Sequence, residues 1–186
     1  MKMTNLLTYP PQKKRIEIII YIMSTSNDVR SAIEKTTRQF LNAYIDVTEA
    51  NDPSIINRDV TEDCKRHFLP KGVMELFGAP NGGPLDNATY EAALTRDMAK
   101  SRFTKTEMRN LAIDTEIRKA AMTSITQIKY HDGETHELEH SWILDFNEDG
   151  TKVSNVVEFC DMDTLRRMVG RVYTEEEKEK GLMESF

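Results

Sequence analysis

The chain has 186 residues, 39% of them hydrophobic and 30% charged, with a formal net charge of -6 and an isoelectric point near 5.3. That balance fits one globular domain with a real core, and it argues against nucleic-acid binding, which shows a basic excess. Two cysteines, Cys64 and Cys160, exclude a disulfide scaffold and read as reduced thiols of a cytoplasmic protein, and no apolar run approaches the roughly 20 residues of a membrane span.

Residues 1–22 read as an N-terminal extension, disordered or dispensable. The run IEIIIYIM follows KKR as a signal sequence would, but Glu17 interrupts it and no small-residue cleavage site follows. Met23 opens MSTSNDVRSAIEK, which looks like a natural start. The domain is expected over 23–172, with a charged solvated tail over 173–186.

Ser26, Asn27 or Asp28 can cap a helix over 28–50, whose apolar positions Val29, Ile33, Phe40, Leu41, Tyr44, Ile45 and Val47 keep near-helical spacing. Pro53 suits the first turn of a short second helix. CKRHFLP is a short extended segment ended by Pro70. Residues 71–87 form a long Gly/Pro-rich loop of the kind that closes over a site. Asp86 or Asn87 caps a third helix, about 88–101. MRNLAIDTEI and KAAMTSITQIKY then read as strands, HDGE as a hairpin turn, HELEHSWILDF as a strand, NEDGT as a second turn and KVSNVVEFC as the last strand. DMDTLRRMVG is a short helix or turn, with Asp161 and Asp163 as cap residues. Helices first and hairpins last make an α+β fold, a curved antiparallel sheet wrapped on N-terminal helices. No GxGxxG, P-loop, CxxC or HExxH occurs, and FGAPNGGP lacks the GK[ST] of a phosphate cradle.

Alternation places His136, Leu138, His140, Trp142, Leu144 and Phe146 on one face of their strand, the face that meets the helices. In the last strand Val153, Asn155, Val157 and Phe159 share one face, and Val156, Glu158 and Cys160 the other. Alternation does not decide which face turns inward, although a bulge would. A carboxylate in an apolar cavity has its charged form disfavoured, and a histidine titrates near neutrality, so such a pair can exchange protons at working pH. His140 reads equally as a structural histidine at the rim of an apolar face, Glu158 alone as a salt-bridge partner, and His67 as an ordinary strand residue. Met74, Met98, Met108 and Met122 read as pocket or core filler, and both thiols as inert.

The segment WILDFNEDGTKVSNVVEFCD resembles SnoaL-like proteins of the nuclear-transport-factor-2-like superfamily: an aromatic strand with Trp142, the Asp149-Gly150 turn, Lys152-Val153, then Glu158-Phe159 and Asp161. DPSIINRDVTEDCKRHFLPKG is similar to fungal members in its Cys64, His67 and Pro70; Arg66 stands where some relatives carry a second histidine. The resemblance covers about residues 28–170. It implies a cone-shaped α+β barrel, a homodimer formed through the sheet, and acid/base chemistry without a metal or organic cofactor. It implies Glu158 as base, with His140 or His67 assisting, and Trp142, Tyr44, Phe77 and Met122 shaping a substrate cavity. The expected activity is that of an isomerase or cyclase acting on a bulky apolar polyketide or terpenoid in fungal secondary metabolism. The alternatives are a non-catalytic binding or dimerisation module of the same fold, and a lyase like scytalone dehydratase, which needs two pocket histidines.

Overall fold

Helix α1 spans Gln12–Ala50 in the computed structural model, which describes residues 12–77 and 82–174. No glycine or proline interrupts 12–50, so Ser26, Asn27 and Asp28 lie within the helix instead of capping it. Residues 12–22 are thus continuous with α1, while 1–11 lie outside the described residues, as does the tail beyond Thr174. A 3-10 turn, Pro53–Asn57, is capped by Asp52, whose Oδ1 accepts the Ser54 backbone N–H at 3.0 Å.

Strand β1 is Val60–Leu69. The stretch expected as a loop holds a short helix, α2 (Gly72–Leu76), because Val73 and Met74 bury themselves; residues 78–81 lie outside the described residues. Helix α3 is Asn87–Met98, with Asp86 accepting from Thr89 N at 2.9 Å. Strands β2 (Ser101–Asp114), β3 (Lys119–Tyr130), β4 (Thr135–Phe146) and β5 (Val153–Cys160) follow, then helix α4 (Met162–Val172). Asp161 caps α4, accepting from Asp163 N at 3.0 Å.

The sheet order is β1-β5-β4-β3-β2. The α+β cone expected from the sequence is present, with one refinement. β1 enters from the helical half and lies parallel to β5, so the sheet is mixed, and it stays open between edges β1 and β2. Irregular register in β2, between Phe103 and Lys105 and again between Arg109 and Ala112, bends the sheet around α1.

A bulge also decides the face of β5. Asp145 pairs with Asn155 but Phe146 pairs with Val153, leaving Ser154 as the extra residue. The phase therefore switches: Val153 is buried, and then Val156, Glu158 and Cys160, whereas Phe159 is 51% exposed.

Two apolar clusters fill the concave side. One joins α1 (Ile33, Phe40, Tyr44, Val47) to Trp142, Leu144 and Val156. The other joins α2 and α4 (Val73, Leu165, Met168, Val169) to Ile128, Leu138 and Cys160. Each buried large apolar side chain contributes roughly 1.5–3 kcal/mol. Between the clusters every one of four neighbouring strands carries a polar inward residue: Arg66, Glu158, His140, and Ser124 with Thr126, all buried. The register keeps them adjacent, with Ser124 opposite His140, and His140 opposite Cys160.

Candidate functional site

The polar belt borders a cavity. One wall is His140, Trp142, Glu158 and Cys160; facing groups include Tyr44, Phe68, Tyr90 and Phe103, and the far end is closed by Val73, Phe77, Leu165 and Met168. The volume open to the centre of a water molecule is about 90 Å³.

His140 Nε2 stands 3.2 Å from Glu158 Oε1, and both side chains are 7% exposed. The Cys160 thiol donates to the same Oε1 at 3.1 Å. Glu158 Oε2 and His140 Nδ1 are buried with no hydrogen-bond partner. Burial and the neighbouring Glu158 push the Cys160 thiol far above its ordinary range, so it stays protonated and donates. An unpartnered buried carboxylate oxygen is costly unless a ligand meets it, so the geometry is that of a site. One ligand atom from each of these three residues also lies within 4.8 Å of the others, a set able to ligate a cation.

Hydroxyls face this pair. Tyr44 and Tyr90 oxygens are 2.6 Å apart. Desolvation raises both phenols above their ordinary value, and the charge of Glu158 adds to that, so both remain protonated donors. Arg66, 1% exposed, lies with its guanidinium 4.3 Å from the Tyr90 ring centre and donates to Asn87 Oδ1 at 2.8 Å, Asn57 Oδ1 at 3.2 Å and the Ile56 carbonyl at 3.3 Å. The indole N–H of Trp142 donates to Ser124 Oγ at 2.8 Å, which orients the ring beside His140, 5.0 Å away between centroids. Further along the cavity, Tyr173 donates to Asp97 Oδ1 at 2.7 Å. Desolvation pushes the Asp97 carboxyl up to about 6 against the opposing effects of that hydrogen bond and of Arg96.

Of the residues expected from the sequence, Glu158, His140, Trp142, Tyr44 and Phe77 meet at the cavity. Two do not. His67 takes the opposite face of β1 from Arg66 and Phe68 and lies 3.1 Å from Asn155 Oδ1, because strand alternation turns it out of the cone. Met122 is 3% exposed in the α1-side cluster, filling core behind the wall. Tyr90, Phe68 and Asp97 were missed. Cys160 reads from the sequence as an inert thiol, although Glu158 two residues earlier on the same strand face is the available signal.

No protein-family model matches the sequence, and no curated protein does. Among solved structures, the chain is similar to BvnE pinacolase from Penicillium brevicompactum, with 22% identity, TM-score 0.63, and coverage of 78% of this chain and 93% of that one. It is similar to PrhC from Penicillium brasilianum at 18% identity and TM-score 0.60, covering 81% and 95%. It is similar to AusH from Aspergillus nidulans at 18% identity and TM-score 0.58, covering 72% and 86%. The chain shares the α+β cone fold of these three proteins. The cavity lies between α1, α3 and the concave sheet, and the bulge at Ser154 turns Glu158 into it. No helix among the described residues is long and apolar enough to cross a membrane.

Proposed function

We propose that this chain is a cofactor-independent isomerase or cyclase that moves protons on an apolar carbonyl compound, a polyketide or terpenoid in fungal secondary metabolism. The observation that carries the reading is the buried Glu158 carboxylate, with one oxygen unpartnered and the other shared by His140 and Cys160. Glu158 takes the proton next to the carbonyl. His140 or the Tyr44–Tyr90 pair donates to the developing enolate oxygen. Return of the proton to another carbon gives an isomer, and attack by the enolate carbon on an electrophile closes a ring. Of the similar fungal proteins, BvnE carries the name of an enzyme, a pinacolase, which supports an enzymatic reading.

The space of about 90 Å³ is smaller than the roughly 150 Å³ that takes up benzene in an apolar protein cavity. A bulky substrate therefore requires the cavity walls to move outward as it enters. The small volume also favours the rival reading, a non-catalytic module. The lyase alternative loses one of its two histidines with His67 outside the cone.

One experiment separates these readings. A small cyclic ketone in D2O, followed by NMR, reports exchange of the proton next to the carbonyl. Wild type accelerates exchange, and a folded Glu158→Gln variant loses on the order of 10²-fold or more of the acceleration. Equal exchange in both proteins removes Glu158 from the mechanism, and no acceleration in wild type favours the binding module. The homodimer belongs to the same proposal. On the convex face Ile143 and Phe159 are 47% and 51% exposed, an apolar patch suited to a second copy, and sedimentation at equilibrium reads the outcome.

A further inference from the structure

We propose that His140, Glu158 and Cys160 bind a zinc ion, and that the bound ion silences the acid/base pair. The binding stands on this geometry alone; the silencing rests on the isomerase or cyclase reading above.

The donor set is imidazole nitrogen, carboxylate oxygen and thiolate sulfur, the Cys160 thiol of the free protein releasing its proton to solvent as the zinc–sulfur bond forms, and it suits zinc and disfavours magnesium or calcium. The backbone holds the donors together: His140 and Cys160 are direct partners across β4 and β5, and Glu158 shares the inward face of β5 with Cys160. Oε1 lies 3.2 Å from Nε2 and 3.1 Å from Sγ, and one ligand atom from each of the three residues falls within 4.8 Å of the others. Zinc bonds of about 2.0–2.3 Å set tetrahedral ligands roughly 3.3–3.7 Å apart. Two edges must open by a few tenths of an ångström, within the reach of side-chain torsions.

The charge balance points the same way. Glu158 Oε2 and His140 Nδ1 are buried without a partner on side chains that are 93% or more buried. A carboxylate so placed faces no arginine or lysine within ion-pair distance among the described residues, and a cation answers that deficit. His140 Nδ1 makes no hydrogen bond that would lock the ring in one tautomer, so the proton can move there and leave Nε2 free to ligate. The fourth zinc position falls on the cavity, where water or a ligand atom can complete the tetrahedron. Cys64 makes no comparable group; it packs in the α1-side cluster.

The test is a titration of the reduced, metal-free full chain with Co²⁺, a spectroscopic stand-in for zinc, followed by competition with Zn²⁺. One Co²⁺ per chain should bring a thiolate-to-cobalt absorption band in the near ultraviolet and intense visible bands typical of four-coordinate cobalt. Zn²⁺ should bleach them. The bands should survive Cys64→Ser and disappear in Cys160→Ser, with at least tenfold weaker binding. A folded wild type without the thiolate band overturns the site, as does a band that persists in folded Cys160→Ser. Should Cys160→Ser not fold, loss of the band in Cys64→Ser of the folded protein overturns it equally. Ketone exchange by the metal-free protein is read separately: exchange that Zn²⁺ binding leaves unchanged overturns the silencing, whereas absent exchange in the metal-free protein counts against the isomerase reading and leaves the zinc site standing.

Discussion

The hydroxyls of Tyr44 and Tyr90 stand 2.6 Å apart and tie α1 to α3 at the cavity wall. Tyr90→Phe keeps the ring stacked on Phe68, 6.1 Å between centroids, and keeps it under Arg66. Only the hydroxyl is lost, at a cost of about 1 kcal/mol in stability. If the pair donates to the substrate oxygen, exchange of the ketone proton falls by on the order of tenfold or more while the circular dichroism spectrum is unchanged. A variant with wild-type exchange would restrict the pair to a structural role.

Asp97 makes stability depend on pH. Its folded carboxyl titrates at about 6 against an ordinary 3.8, because desolvation outweighs the Tyr173 hydrogen bond. The folded state therefore holds the proton more tightly. The contribution is fully present below about pH 4 and is lost as pH rises to about 6. Two pKa units correspond to at most about 3 kcal/mol, less here because Asp97 is only half-buried. Asp97→Asn keeps an acceptor for Tyr173 and cannot titrate. The melting temperature of the variant minus that of wild type should rise between pH 4 and 6.5, and a flat difference would contradict this.

Gly150 holds φ +76° at the turn before β5, and an added Cβ would sit 2.8 Å from Ile33 Cγ1 and 3.3 Å from the Val29 carbonyl oxygen. Its own carbonyl accepts from Thr36 Oγ1 at 2.8 Å, so the turn cannot retreat from α1 without breaking that bond. Gly150→Ala should cost roughly 1–3 kcal/mol, read as a lowered melting temperature. A difference within a degree would show that the turn yields.

Arg66 joins the 3-10 turn, β1 and α3 through neutral acceptors and one tyrosine ring. A lysine carries one compact ammonium and cannot meet the same acceptors while stacking. Arg66→Lys should lose roughly 2–4 kcal/mol in urea unfolding. Unchanged stability would mean that the belt tolerates an unsatisfied asparagine pair.

The inward pattern of the strands was legible without coordinates. Leu138, His140 and Trp142 alternate with exposed residues, and all three are buried. His140 departs from apolar character because it lies where the strand passes from one apolar cluster to the other. The same break recurs at Glu158 between Val156 and Cys160, and at Arg66 between Cys64 and Phe68. For His67 the motif likeness and the alternation pull apart: the resemblance implies a catalytic role, whereas its place one residue from Arg66 turns it to the opposite face of β1.

Period and turn chemistry by themselves determined the existence of α3, the hairpins and the inward face of β4, since these depend on neighbours a few residues away, but not the start of α1 or the short α2. The Asp149-Gly150 turn and the caps Asp86 and Asp161 are of this local kind. The tertiary structure alone decided the face of β5, because one extra residue at Ser154 inverts the phase and only pairing with β4 reveals it. It alone decided the parallel placement of β1, the meeting of Tyr44 with Tyr90 across 46 residues, and the exclusion of His67. Contacts at such separations follow from how the sheet bends around α1, and that bend is set by register irregularities that leave no signal in local periodicity.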